Sequence, residues 1–206
     1  ALLREHGLRC IAFDGLRDFE GLTGAEHASA LRRAEFNFDL MQDLGVELLI
    51  VTASSRRDAS VDDRRIAADL RLLGERAHAR GLCIAYEAAS GAAHVRTLQQ
   101  AAAIVAAVGH PAVGLALDTT MLDAEASATL AAQGDLPLAS LVATLQAKKF
   151  SGTLCLAATN DLFRTVAAER IAQDGMRALT WLVECATTRP DPRIAVENVE
   201  FIEFCA

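Results

Sequence analysis

The chain reads as a parallel α/β domain because three features of its 206 residues agree. Short apolar runs alternate with longer stretches of helical periodicity. The runs lack a strict two-residue alternation, so each strand is expected to be buried on both faces, as in a parallel sheet covered by helices. Two of them also close on a carboxylate at equivalent places, Glu87 at the end of LCIAYEA and Asp118 at the end of VGLALDT. Acids at the carboxyl ends of parallel strands are where α/β barrels place metal ligands and acid/base groups.

Five strands are expected, over residues 10–15, 47–53, 82–88, 113–119 and 152–158. The first helix starts at Thr23, whose hydroxyl caps the backbone while Glu26, three residues on, reaches back, and it stops at Gly45. Leu31, Ala34, Phe38 and Met41 share its inner face. The second runs from Asp62 or Asp63 to the Gly81 stop, with Ile66, Leu70 and Leu73 inward and Gly74 a weak point inside. A third covers residues 97–108, a fourth runs from Pro137 through Ala147, and a fifth covers residues 165–185, with Trp181 in its core face.

Composition narrows the classes. With 52% hydrophobic and 23% charged residues the chain can bury one sizeable core and is not disordered. A net charge of -7 with scattered Lys and Arg argues against nucleic acid. The longest apolar stretches fall short of the roughly 20 residues that span a bilayer, and a cytoplasmic protein without membrane contact is expected. The five cysteines show no CxxC spacing and read as small buried hydrophobes. His6, His27 and His78 sit in polar contexts and read as surface residues.

The stretches RAEFNFDLMQDLGVELLIV, RRIAADLRLLGERAHARGLCIAYEA, HPAVGLALDT and LCLAATNDLFR, with LRDFEG and QGDLPL in order between them, resemble one family. It is the xylose-isomerase-like TIM barrels of the sugar phosphate isomerase/epimerase superfamily, and most of all the N-terminal barrel of bacterial 3-dehydroshikimate dehydratases that carry a 4-hydroxyphenylpyruvate dioxygenase-like domain. The resemblance implies a TIM-barrel-derived domain over residues 1–188 and, in residues 189–206, the opening of a dioxygenase-like domain. Closure takes eight strands, so the barrel is incomplete. The sequence is then either an excerpt of a longer protein or a relative that has lost segments.

The same resemblance implies a divalent metal, Mg, Mn or Co, held by Glu87 and Asp118. The position of a further Glu ligand falls on Ala157, that of a nearby His on Met121, and the strand with the third ligand is missing between Leu122 and Gln133. Arg17, in LRDFEG, is placed to grip a substrate carboxylate or phosphate, or else pairs with Asp18 or Glu20 on the surface. His94 in SGAAHVRT is the catalytic candidate, with Asp123 or Glu125 as rearranged alternatives. The implied function is a metal-dependent dehydratase or sugar isomerase/epimerase with a depleted site, acting on a small hydroxylated acid or sugar. The alternative is an inactive scaffold, and a homo-oligomer or a linked dioxygenase-like domain is the expected partner.

Overall fold

The computed structural model describes residues 5–118, 138–156 and 166–187. The chain divides into two compact units, Ala1–Ala124 and Glu125–Ala206. The first unit is a strand–helix alternation: β1 (Phe13–Arg17), α1 (Gly24–Leu44), β2 (Leu48–Thr52), α2 (Asp63–His78), β3 (Cys83–Glu87), α3 (Leu98–Val108) and β4 (Val113–Leu115). All neighbouring pairs are parallel, in the order β1-β2-β3-β4. In the second unit, α4 (Leu138–Ala147) and α5 (Ala168–Thr187) enclose a small cluster of Leu138, Val142 and Leu182.

One face of the sheet is the core. Leu16, Leu49, Val51, Ile84 and Tyr86 bury their side chains against Ala34, Phe38 and Met41 of α1, Ile66, Leu70 and Leu73 of α2, and Ile104 of α3. The opposite face is only partly covered: Cys83 is exposed, and Leu48 and Ile50 are half-buried. This corrects the expectation of strands buried on both faces. Four strands leave open the side that a closed barrel fills with inward layers.

The sheet has one strand fewer than expected among the described residues. Residues 153–156 adopt no strand, and the remainder of that run, with Ala157, lies outside the described residues. Leu154 packs on the cluster of the second unit instead. The first strand starts later than its apolar run and carries a bulge at Gly15, where the register with β2 passes from Asp14–Ile50 to Leu16–Val51. Pro137 and Thr165, expected at helix starts, also lie outside the described residues.

Helix ends follow the local signals with one exception. Asp62 caps α2 by accepting from Arg64 N–H, and Thr97 and Gln100 form a reciprocal capping box on α3. Gly45 closes α1 in the left-handed conformation, φ 69°. Thr23 precedes α1 as expected but makes no side-chain cap, and Glu26, expected to reach back to it, is drawn to Arg56 at 3.0 Å. Gly74 is a fitting position rather than a weak one, since a Cβ there would collide with Val113.

Three surface expectations change. Of the four described cysteines none is buried: Cys83 and Cys155 are exposed, Cys10 and Cys185 intermediate, and all are free. Trp181 is 49% exposed, with Leu182 taking the core place beside it. His27 tucks against Phe19, its Nε2 buried 3.8 Å from Asp69 Oδ1. Among the described residues no helix is long and apolar enough to cross a membrane.

Candidate functional site

The partly open face of the sheet gathers the polar residues. Register aligns Arg17 with Thr52 and Thr52 with Glu87, so the last residues of three strands form one row. Ala116 N–H donates to Tyr86 C=O, which extends the row past β4 towards Asp118. Strand alternation keeps this row off the core face, where Val51 and Tyr86 are fully buried.

The bulge at Gly15 adds a residue that sequence reasoning missed. Three positions separate Asp14 from Arg17, which in a regular strand puts them on opposite faces; the extra residue brings both to the face of Ile50 and Thr52. A glycine inside an apolar run was the only signal in the sequence.

Glu87 feels this gathering. Burial pushes its carboxyl above the ordinary value, the bond from Thr52 Oγ1 to Oε2 (3.2 Å) pulls down, the charges of Asp118 and Asp14 raise it further, and Arg17 lowers it. Like charges converging on a half-buried carboxyl leave room for a cation, and the donors are all hard oxygens, which suit Mg2+ or Mn2+. Among the described residues no group of three or more His, Cys, Asp and Glu is spaced to hold a metal ion. Glu87 and Asp118, the two carboxylates expected as ligands, would therefore need water or substrate oxygens to complete a shell.

Arg17 does not enter the surface pair weighed for it. Asp18 is taken by Ser54 and Ser55, and Glu20 by Ser54 and Tyr86. His94 lies in the loop after β3 and is not grouped with Glu87; its Nε2 meets Asp63 Oδ1, at the start of α2, at 2.7 Å. Met121, Asp123 and Glu125 lie outside the described residues.

Comparison with known proteins agrees with this architecture. The chain is 33% identical to a 3-dehydroshikimate dehydratase of Pseudomonas putida over 248 residues, a match that covers 96% of this chain and 39% of that protein. The chain thus spans about two fifths of the length of that relative. Because 248 exceeds the 206 residues present, the match passes over segments of the relative that have no counterpart here. A solved xylose isomerase-like TIM barrel/4-hydroxyphenylpyruvate dioxygenase fusion protein superposes with a TM-score of 0.80 at 31% identity, covering 90% of this chain and 35% of that one. IOLI protein, solved with a zinc atom, shares the fold at a TM-score of 0.74 and 18% identity, covering 88% of this chain and 80% of that one. The family described as xylose isomerase-like TIM barrel matches residues 1–125, more than half of the sequence and all of the described sheet, and the chain belongs to it.

Proposed function

We propose that this chain is a divalent-metal-dependent lyase or isomerase domain with a reduced ligand set, of the 3-dehydroshikimate dehydratase or sugar isomerase/epimerase kind. The observation that carries the reading is the row of Arg17, Thr52 and Glu87 at the carboxyl ends of parallel strands, with the charge of Asp118, three residues past β4, acting on Glu87. The similarity to a protein named 3-dehydroshikimate dehydratase supports it, as does the zinc of a more distant protein of the same fold.

In this reading Glu87 and Asp118 hold Mg2+, Mn2+ or Co2+. Arg17 receives the carboxylate or phosphate of a small hydroxylated acid or sugar, and its fork fixes the substrate's orientation. A bound dication supplies Lewis acidity towards a substrate carbonyl oxygen. His94, held by Asp63 at one ring nitrogen, is the base expected from the sequence and would have to reach this row from the loop after β3; the proton it takes from the carbon beside that carbonyl would then pass to the departing hydroxyl, which leaves as water. Residues 189–206 open a linked dioxygenase-like domain.

A second reading has its own support. Ala157 and Met121 stand where the resemblance wants a Glu and a His, and the dehydratase match passes over segments absent here. That favours an inactive scaffold. Calorimetric titration of the metal-stripped chain with Mn2+, beside Glu87→Gln, separates the two. Binding on the order of micromolar, about -8 kcal/mol, that disappears in the variant supports the metal site and leads to turnover assays starting with 3-dehydroshikimate. Absent binding, or binding that survives Glu87→Gln, favours the scaffold.

A further inference from the structure

The six residues between β1 and α1 are fixed by carboxyl groups. Asp18, in the left-handed conformation (φ 52°), accepts from Ser55 N–H at 2.8 Å and Ser55 Oγ at 3.0 Å. Gly21 N–H donates to the buried Asp69 at 2.9 Å, and Gly21 C=O accepts from Ser60 N–H at 2.8 Å. Between them Glu20 is only 2% exposed. Its Oε1 accepts both Ser54 N–H at 2.6 Å and Tyr86 O–H at 2.9 Å, while its Oε2 is buried without a partner.

The two donors sit where they matter. Tyr86 directly precedes Glu87, and Ser54 lies two residues beyond Thr52, whose hydroxyl bonds Glu87. Glu20 itself lies three residues after Arg17. It reaches the row of strand ends from the core side of the sheet, because Tyr86 and Glu87 alternate in direction.

We propose that Glu20 is a positioning residue that clips the loop behind Arg17 to the ends of β2 and β3 and so sets the spacing of Arg17 and Glu87. The inference rests on the reading of those two residues as anion and metal contacts. Burial raises the Glu20 carboxyl above its ordinary value against the lowering by the Ser54 and Tyr86 bonds, since an ionised carboxylate with one bare oxygen in a dry interior is costly. Its charged surroundings are Asp18 on its own loop and, acting on Tyr86, Asp63 of α2, both acids. Glutamine reproduces the arrangement, since one amide oxygen accepts the same two bonds.

The test uses the whole chain, with Mn2+ and inorganic phosphate as probes and Tyr86, the only tyrosine, as optical reporter. Glu20→Gln is expected to bind both probes within about two-fold of the parent, and Glu20→Ala to lose about ten-fold, the low end of what removing a group behind a metal ligand costs. Tyr86→Phe loses less, and the double variant Glu20→Ala/Tyr86→Phe is no worse than Glu20→Ala, because one clip is being removed twice. The near-UV tyrosine band shifts in Glu20→Ala and stays in Glu20→Gln. Parent-like binding by Glu20→Ala, or losses that add in full in the double variant, overturns the proposal. If Glu20→Ala does not fold, Tyr86→Phe decides, and unaltered binding there counts against the clip. A parent that binds neither probe refutes the reading of the site, and the proposal with it; a parent that binds while its variants match it refutes the clip alone.

Discussion

Tyr86 and Glu87 are neighbours in sequence and face opposite sides of one strand, and their protons answer to different surroundings. Burial pushes the Tyr86 phenol well above its ordinary value, and the Glu20 charge adds to the effect. The folded chain therefore holds this proton where an unfolded one has released it, and stability falls as pH rises past the ordinary tyrosine value. In an alkaline titration tyrosinate absorption is expected in one cooperative step that coincides with loss of helix signal; a gradual appearance at the ordinary tyrosine pKa contradicts this. Glu20 obeys the same sign at lower pH. Its carboxyl is raised by burial, so above the ordinary carboxylate value the unfolded chain sheds a proton that the folded chain keeps. Stability should decline through that window and level off once the folded carboxyl ionises, and Glu20→Gln should flatten the decline in denaturant titrations across pH. The place of Glu87 was legible because a polar residue closing an apolar run marks a strand end, whereas the strand expected over residues 113–119 stops at Leu115 and leaves Asp118 three residues beyond it. Glu20 was not, since its partner Tyr86 is 66 positions away and nothing local distinguishes a buried acid from a surface one.

Among the elements, the loop from β1 to α1 has no room for a side chain at Gly21. Gly21 has φ +77°, and a Cβ there would stand 2.8 Å from Ser60 N and 2.9 Å from Ser60 O, both backbone atoms. Gly21→Ala is expected to cost about 1–3 kcal/mol in unfolding free energy from the backbone alone, and a neutral result would show that the loop relaxes. Thr97→Ala, which removes one half of the capping box on α3, should cost about 1 kcal/mol. The second and third strands could be read to within a residue, because each is a continuous apolar run paired on both sides. The first was displaced because a strand with a neighbour on one side only starts where that neighbour begins, and the bulge at Gly15 leaves no clear mark in composition. The described part of the fifth, residues 152–156, forms no strand although GTLCLAA has the apolar content of one, because apolar content is not pairing and Leu154 goes to the cluster of the second unit. The Thr23–Glu26 spacing was a valid cap signal, but Glu26 pairs instead with Arg56, 30 positions along the chain.

At the scale of the molecule, the two units differ in how much they bury. The first has a core running from Leu16 to Val113, and the second rests on Leu138, Val142 and Leu182. Each carries one intrinsic chromophore, Tyr86 in the first and Trp181 in the second. In urea the Trp181 emission is expected to change at lower concentration than the Tyr86 signal; coincident midpoints would indicate a single cooperative unit. Metal should act on the transition of the first unit, reported by Tyr86. At about a hundred-fold excess over its dissociation constant, Mn2+ should add about 2.7 kcal/mol to stability in the parent and nothing in Glu87→Gln. The bulge in the first strand has a consequence for the whole face. Because Asp14 and Arg17, three positions apart, share a side only through the bulge at Gly15, the pairing at that point fixes which charges the face displays. Pairing the same residues without the bulge would send the acid and the base to opposite sides of the sheet, whereas deleting Gly15 leaves them two positions apart on one side. At this position a shift in pairing by one residue does the chemical work of a substitution.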